Sequence, residues 1–175
     1  MRGAADGDEI DANTRGEDVN SARIASWIAT LGPVGYLPAP GTCGTLVAAI
    51  LYWWLHHVAW LQGVVGGRLL VALVVGLAYL VVTYALPRFI EHDPQEIVID
   101  EVAGFFVTMV GFAPTPLVLA LAFGYFRVID ILKPLGIDRI EALPGAWGVI
   151  GDDVVAGVFA NILLYATLYF LRVLA

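Results

Sequence analysis

Charge is scarce in this chain, and it is missing in blocks. Only 14% of the 175 residues are Asp, Glu, Lys or Arg, against roughly 25% in an ordinary soluble domain. Leu69 to Leu86, Val102 to Phe126 and Val154 to Leu171 hold no charged residue at all. Uncharged runs of about 18 residues or more read as membrane-spanning helices, so a water-soluble globular fold is excluded as the expectation. Cysteine is almost absent too. The single Cys43 rules out an internal disulfide and a multi-cysteine metal site. No basic patch points to nucleic acid, no internal repeat points to a solenoid, and the N-terminus lacks the basic and apolar regions of a signal peptide.

What is present is acid at the segment edges. Six of the sixteen acidic residues (Asp6, Asp8, Glu9, Asp11, Glu17, Asp18) lie in the first twenty positions, which predicts a disordered polar tail over 1–20. Residues 21–175 then form a single membrane-embedded domain. Ile24, Trp27, Ile28 and Leu31 recur at helical spacing and predict a helix lying in the interface. The Gly/Pro-rich passage Gly32 to Thr45 leads into a first span over Leu46 to Leu61. A connection over Gln62 to Gly67 joins it to a second span, Leu69 to Leu86, which Pro87 ends; a last span runs from Val154. The tryptophans Trp53, Trp54 and Trp60 read as packing and interface anchors.

The third apolar stretch is broken by Gly111-Phe112-Ala113-Pro114-Thr115-Pro116, and two prolines so close disfavour one continuous helix. A fold-back there brings Asp100-Glu101 and Arg127-Asp130-Lys133 to the same face. Its arms are shorter than the ~30 Å hydrocarbon core, so the hairpin re-enters the bilayer or thins it. The expected fold is therefore an all-α polytopic membrane bundle. It has about three full spans, a short re-entrant or thin helical hairpin, and an interfacial N-terminal helix. With a cytoplasmic N-terminus, Arg2, Arg15, Arg23, Arg88, Arg127, Lys133 and Arg139 fall inside. Only Arg68 and Arg172 fall outside, which favours this orientation.

Each charged motif has a structural reading beside a functional one. Gly41-Thr42-Cys43-Gly44-Thr45 is either a turn with Thr45 capping the first span, or a loop whose amides and hydroxyls hold an anion. No arginine follows Cys43 at the distance a cysteine-phosphatase loop needs. Asp100-Glu101 is either a helix cap complementing the dipole or a pair of ligands for a hard divalent cation. Arg127, Asp130 and Lys133, at i, i+3 and i+6, form either a self-neutralising ladder or a phosphate grip with a carboxylate beside it. Asp152-Asp153 exceeds the need of an N-cap, and glycines at 145, 148 and 151 suggest a loop approaching something closely. His56 and His57, read inside the first span, have no carboxylate partner at that depth and read as packing. In the hairpin topology Asp93, Asp100, Glu101, Asp130, Asp152 and Asp153 share one face with Arg127 and Lys133. That imbalance fits Mg²⁺ held by carboxylates with a phosphate ligand on Arg and Lys.

Four spaced motifs then resemble the phosphatidylglycerophosphatase A family. They are Leu37-Pro38-x-Pro40-Gly41-Thr42-x-Gly44-Thr45, Ile97-Val98-x-Asp100-Glu101-x-x-Gly104, Phe126-Arg127-x-x-Asp130-x-x-Lys133-Pro134 and Asp152-Asp153-x-x-Ala156-Gly157. The resemblance implies a Mg²⁺-dependent phosphatase of the bacterial inner membrane, multi-pass and with its active site facing the cytoplasm. Its expected reaction takes the terminal phosphate from phosphatidylglycerophosphate to leave phosphatidylglycerol. It implies catalytic roles for Asp100, Asp130 and Asp153, and phosphate binding by Thr42, Gly44, Thr45, Arg127 and Lys133. The implied metal ligands are Asp100, Glu101, Asp130, Asp152 and Asp153. Two positions depart from the family's pattern: Gly136 stands where a second proline usually follows Lys-Pro, and Ala146 replaces a glycine. Water attack directed by Asp100 or Asp153 is the expected chemistry, with His92 a candidate proton donor to the leaving oxygen. An aspartyl-phosphate route, a different lipid phosphate, and a cation-transport component using the same carboxylates are the rivals. Oligomeric state is open.

Overall fold

Helix is the only regular structure among the described residues, 19–58, 63–91 and 94–174, of the computed structural model. In chain order the helices are α1 (19–29), α2 (Pro40–Leu55), α3 (Val64–Ala85), α4 (Ile99–Thr108), α5 (Pro116–Leu132), α6 (Asp138–Glu141) and α7 (Ala146–Leu174). Two stretches, Val65–Arg88 and Ala146–Arg172, are long and apolar enough to cross a membrane, and within an apolar 18-residue window of each only 22% is buried inside the protein. Their apolar side chains instead face outward, as Leu73, Leu77, Ile162 and Tyr165 do. The acidic tail expected over 1–20 lies outside the described residues, apart from its last two, which already belong to α1.

Several expected boundaries move. The first long helix runs Pro40–Leu55, not Leu46 to Leu61. Ala39, at φ 55°, turns the chain, and Pro40 occupies the first helical position, where its fixed φ suits a helix start and its missing N–H costs nothing. The helix ends in the turn at His56 and His57, so these histidines lie beyond it rather than inside it; His57 Nδ1 donates to Trp53 O (2.7 Å). Of the connection expected over Gln62 to Gly67, Gln62 lies outside the described residues, and α3 has begun by Val64. The last helix starts at Ala146, eight residues before Val154. Asp152 and Asp153 are therefore in its second turn and cap nothing.

The fold-back between α4 and α5 is present. α4 ends at Thr108, Gly111 takes φ +84°, and Thr115 caps α5 by accepting from the Val118 N–H (3.3 Å), with Pro116 at the first helical position. The carbonyls at the start of this turn still need partners where helices pack against it. Two side chains supply them. The Tyr52 hydroxyl donates to Met109 O (3.0 Å) and Phe112 O (3.2 Å), and Asn161 Nδ2 donates to Thr108 O (2.8 Å) and Val110 O (2.9 Å). α2 and α7 thus hold the turn from both sides.

α4 is the central element, packed most extensively on α7 and also on α2, α3 and α5. Phe105, Phe106, Met109, Phe126 and Leu164 are fully buried around it. Phe105 meets Phe126 edge-on with centroids 6.4 Å apart, a geometry worth about 0.5–1.5 kcal/mol beyond area burial. α1 shows its small residues, Ala25 and Ala29, to the core and leaves Ile24 and Trp27 exposed. This architecture puts the starts of α2, α4 and α7 and the end of α5 together.

Candidate active site

Each of those helix ends delivers charge. Asp100 and Glu101 occupy the first turn of α4, where the helix dipole favours anions, and both are buried. Asp100 Oδ1 accepts the Glu101 N–H (2.8 Å). Arg127 and Asp130 lie on the last turns of α5, and Lys133 is its C-cap at φ 43°. That left-handed conformation costs a non-glycine residue on the order of 1–3 kcal/mol, and the ion pairs of Lys133 oppose the cost. α7 supplies Asp152 and Asp153, both buried.

Close helix approach brings these groups together. A Cβ on Gly157 would stand 2.3 Å from Gly104 O, and one on Gly104 would stand 2.6 Å from Asp153 O. Only glycines let α4 and α7 meet there, and that contact sets Asp153 beside Glu101. α2 approaches in the same way: a Cβ on Gly41 would lie 2.1 Å from Glu101 Oε1.

One ligand oxygen from each of Glu101, Asp130 and Asp153 can be chosen so that all three lie within 4.8 Å of one another. Like charges at about 4 Å repel by roughly 4 kcal/mol at an effective dielectric of ~20. One cation sits among them. Arg127 Nη1 contacts Glu101 Oε2 (2.5 Å) and Asp130 Oδ2 (2.9 Å). The Thr45 hydroxyl shares its proton between Gly41 O (2.8 Å) and Glu101 Oε2 (3.1 Å). Burial pushes the Glu101 carboxyl up to about 7; Arg127 pulls against this, and Asp130 adds to it.

A second cluster adjoins the first. Lys133 Nζ donates to Glu141 Oε2 (2.6 Å) and Asp152 Oδ2 (2.8 Å). Burial alone lowers the lysine pKa, but its bonds to Asp152 and Glu141 outweigh that and raise it, so Lys133 is charged across the physiological range. Asp152 Oδ1 and Arg127 Nε are buried without hydrogen-bond partners. A cavity of ≈ 410 Å³ opens over both clusters, with Thr42, Asp100, Glu101, Arg127, Asp130, Lys133, Asp152 and Asp153 in its lining. Oxygen-only donors, excess negative charge and an unbonded buried carboxylate oxygen suit a hard divalent cation; the spare Arg127 Nε suits an anionic ligand.

Of the five expected metal ligands, Glu101, Asp130 and Asp153 converge, while Asp100 and Asp152 line the same cavity with an oxygen already bonded. Of the expected phosphate binders, Thr42, Arg127 and Lys133 line the cavity. Gly44 and Thr45 are buried one layer behind it, Gly44 against Val98 and Thr45 on Glu101. Gly41 to Thr45 is the start of a helix rather than a loop, because Ala39 and Pro40 turn the chain first. His92 and Asp93 lie outside the described residues. Gly136 takes φ +85°, which the proline ring forbids, so the loop after Lys133 differs here from one with proline at that position. Ala146, the other departure, is the buried first residue of α7. Three residues escaped the sequence reading. They are Glu141, Tyr52 and Asn161, the last although it is the sole side-chain amide in the run Val154 to Leu171.

The comparisons with known proteins agree with the geometry. A protein named "Putative phosphatidylinositol-3-phosphatase" from Bacteroides thetaiotaomicron is 32% identical over 135 residues, covering 74% of this chain and 84% of that one. Phosphatidylglycerophosphatase A of Haemophilus influenzae is 31% identical over 140 residues, 77% of this chain and 82% of its own. The Escherichia coli phosphatidylglycerophosphatase A is 33% identical over 132 residues, 72% of each chain. No solved structure matches. The family model described as phosphatidylglycerophosphatase A spans residues 27–168, which include every charged side chain of the cavity, and the chain belongs to that family.

Proposed function

We propose that this protein is a Mg²⁺-dependent lipid phosphatase that hydrolyses the terminal phosphate monoester of phosphatidylglycerophosphate, giving phosphatidylglycerol. The observation that carries the reading is the convergence of Glu101, Asp130 and Asp153, with Arg127 between two of them, at the mouth of one cavity. Glu101, Asp130 and Asp153 would hold the cation, with Asp100 and Asp152 beside them. When bound, Mg²⁺ lowers the pKa of water and neutralises charge on phosphoryl oxygens. Arg127, Thr42 and Lys133 hold the phosphoryl group, since this chemistry rests largely on positioning and electrostatics. Gly44 and Thr45 support them, Gly44 by admitting α4 and Thr45 by fixing the Glu101 carboxylate. Asp153 or Asp100 orients the attacking water and takes its proton. The new bond joins the water oxygen to phosphorus, the bond from phosphorus to the glycerol oxygen breaks, and that oxygen leaves as the alcohol with the proton the carboxylate took.

The outward apolar faces of α3 and α7 support a bilayer placement. α2, α3 and α7 cross the bilayer, and α4 and α5 re-enter it. At ~1.5 Å per residue the 16 residues of α2 and the 10 of α4 span about 24 and 15 Å, so the bilayer thins locally around α2. α1 lies in the interface with Ile24 and Trp27 in lipid, and the cavity faces the cytoplasm of a bacterial inner membrane. The name of the Bacteroides relative favours a second reading, in which another lipid phosphate is the substrate. The test is phosphate release by the purified full-length protein from phosphatidylglycerophosphate, phosphatidylinositol 3-phosphate and phosphatidic acid, with and without Mg²⁺. Selective, Mg²⁺-dependent turnover of the first is expected. Turnover that ignores Mg²⁺, or that favours the inositol lipid, overturns the corresponding part.

A further inference from the structure

The two helices that deliver the phosphate grip continue away from the cavity as matched apolar stripes. On α2, Leu46, Ala49, Ile50 and Trp53 follow Thr42 by four, seven, eight and eleven residues. On α5, Phe123, Ala120, Leu119 and Pro116 precede Arg127 by the same four intervals. Both sets obey helical spacing, so each stripe shares a face with the cavity residue at its head. Together the eight residues enclose a groove of ≈ 670 Å³, with an alanine on each wall leaving the space open. Leu46, Ile50 and Trp53 are exposed from the protein along it.

The groove has the dimensions of one particular ligand part. Eleven residues of helix cover about 16 Å, close to half of a ~30 Å hydrocarbon core, which is the depth of one leaflet. A second apolar surface, at Val47, Leu51 and Trp54, belongs to α2 alone. We propose that the α2–α5 groove is the acyl-chain subsite of the phosphate cavity, seating one fatty-acyl chain of a phosphate-monoester lipid whose headgroup lies at Thr42 and Arg127. The proposal rests on the lipid-phosphatase reading and adds where the tail goes. Its gain is not hydrophobic affinity, because bilayer tails are already an apolar solvent. A seated chain instead fixes the depth and orientation of the headgroup, where misplacement by about 1 Å costs on the order of 10²-fold in rate.

Two measurements on the full-length protein test it. In mixed micelles with saturating Mg²⁺, kcat/KM is compared for dipalmitoyl and dihexanoyl phosphatidylglycerophosphate, for wild type and for Ala49→Trp and Ala120→Trp. Filling the groove is expected to lower the long-chain to short-chain ratio at least tenfold, and an unchanged ratio overturns the subsite. The second measurement needs no turnover. Phosphatidic acid carrying a diazirine at its acyl terminus is photolysed with wild type in phosphatidylcholine vesicles. Label on the peptides bearing Trp53, Pro116 and Leu119, displaced by unlabelled phosphatidic acid but not by added phosphatidylcholine, supports the groove. Label spread equally over the outward face of α3, with no competition, overturns it. Competitive labelling by a protein that releases no phosphate supports the groove and removes the phosphatase reading instead.

Discussion

Gly41→Ala separates the chemistry from the fold. The added methyl would stand 2.1 Å from Glu101 Oε1 and 3.1 Å from both terminal nitrogens of Arg127. Ordinary carbon–oxygen approach is about 3.3 Å or more, so the carboxylate must retreat by about 1.2 Å. Glu101 ends a flexible side chain and can move, at the expense of its bonds to Arg127 (2.5 Å) and Thr45 (3.1 Å). Displacement on that scale at a catalytic group costs on the order of 10²-fold in kcat/KM, or about 2.7 kcal/mol of transition-state stabilisation. The helix itself accepts alanine, since Gly41 lies in the first turn of α2 and not at a positive φ. The expected result is a protein that inserts and melts within a few degrees of wild type yet releases phosphate at about 1% of its rate. Gly157→Ala is the control: its methyl meets backbone, Gly104 O at 2.3 Å, and is expected to lower the melting temperature as well. Wild-type turnover in Gly41→Ala would show that Glu101 does not need its observed position.

Asp130→Asn is expected to abolish Mg²⁺-dependent phosphate release while membrane insertion persists; undiminished turnover removes Asp130 from the site. Chelation with EDTA should silence the wild-type enzyme, and added Mg²⁺ should restore it, as phosphate assay reads directly; activity that survives exhaustive chelation refutes the metal. Lys133→Met leaves Asp152 buried without its cation, a change that costs about 3–5 kcal/mol for fully buried pairs and less here, where Lys133 is a quarter exposed. Both melting temperature and kcat/KM should fall, and a loss in neither would show that the Lys133 cluster is idle. Asn161→Leu removes two donors from the α4–α5 turn and should destabilise the protein by about 1–2 kcal/mol, read by unfolding in sodium dodecyl sulfate.

The sequence disclosed the charged clusters and the fold-back because both rest on local chemistry. Pro114 and Pro116 break a helix wherever they fall, and carboxylates at apolar boundaries stand out against so little charge. It misplaced the glycines. Gly41 and Gly44 read as a turn, whereas they lie in a helix and serve contacts with Glu101 and Val98, more than fifty residues away in sequence. Asp152 and Asp153 read as preceding the last span, whereas they lie inside α7. The groups that justify placing them inside α7, Lys133 and the glycine contact with α4, are tertiary. Glu141 becomes meaningful only once α6 brings it to Lys133. Asn161 carried a local signal, an amide in an uncharged run, of the kind that marks buried polar contacts at membrane depth.

The tethering of the α4–α5 turn bears on how such a chain is made. Its carbonyls find donors on a helix upstream, through Tyr52, and on one downstream, through Asn161. While the ribosome is still completing α7, half of those donors do not exist, and an unsatisfied carbonyl in hydrocarbon costs several kcal/mol. The α4–α5 turn therefore gains its full set of donors only when α7 packs against it. The same helix carries Asp152 and Asp153, so the carboxylate cluster with Glu101 and Asp130 is incomplete until α7 is in place.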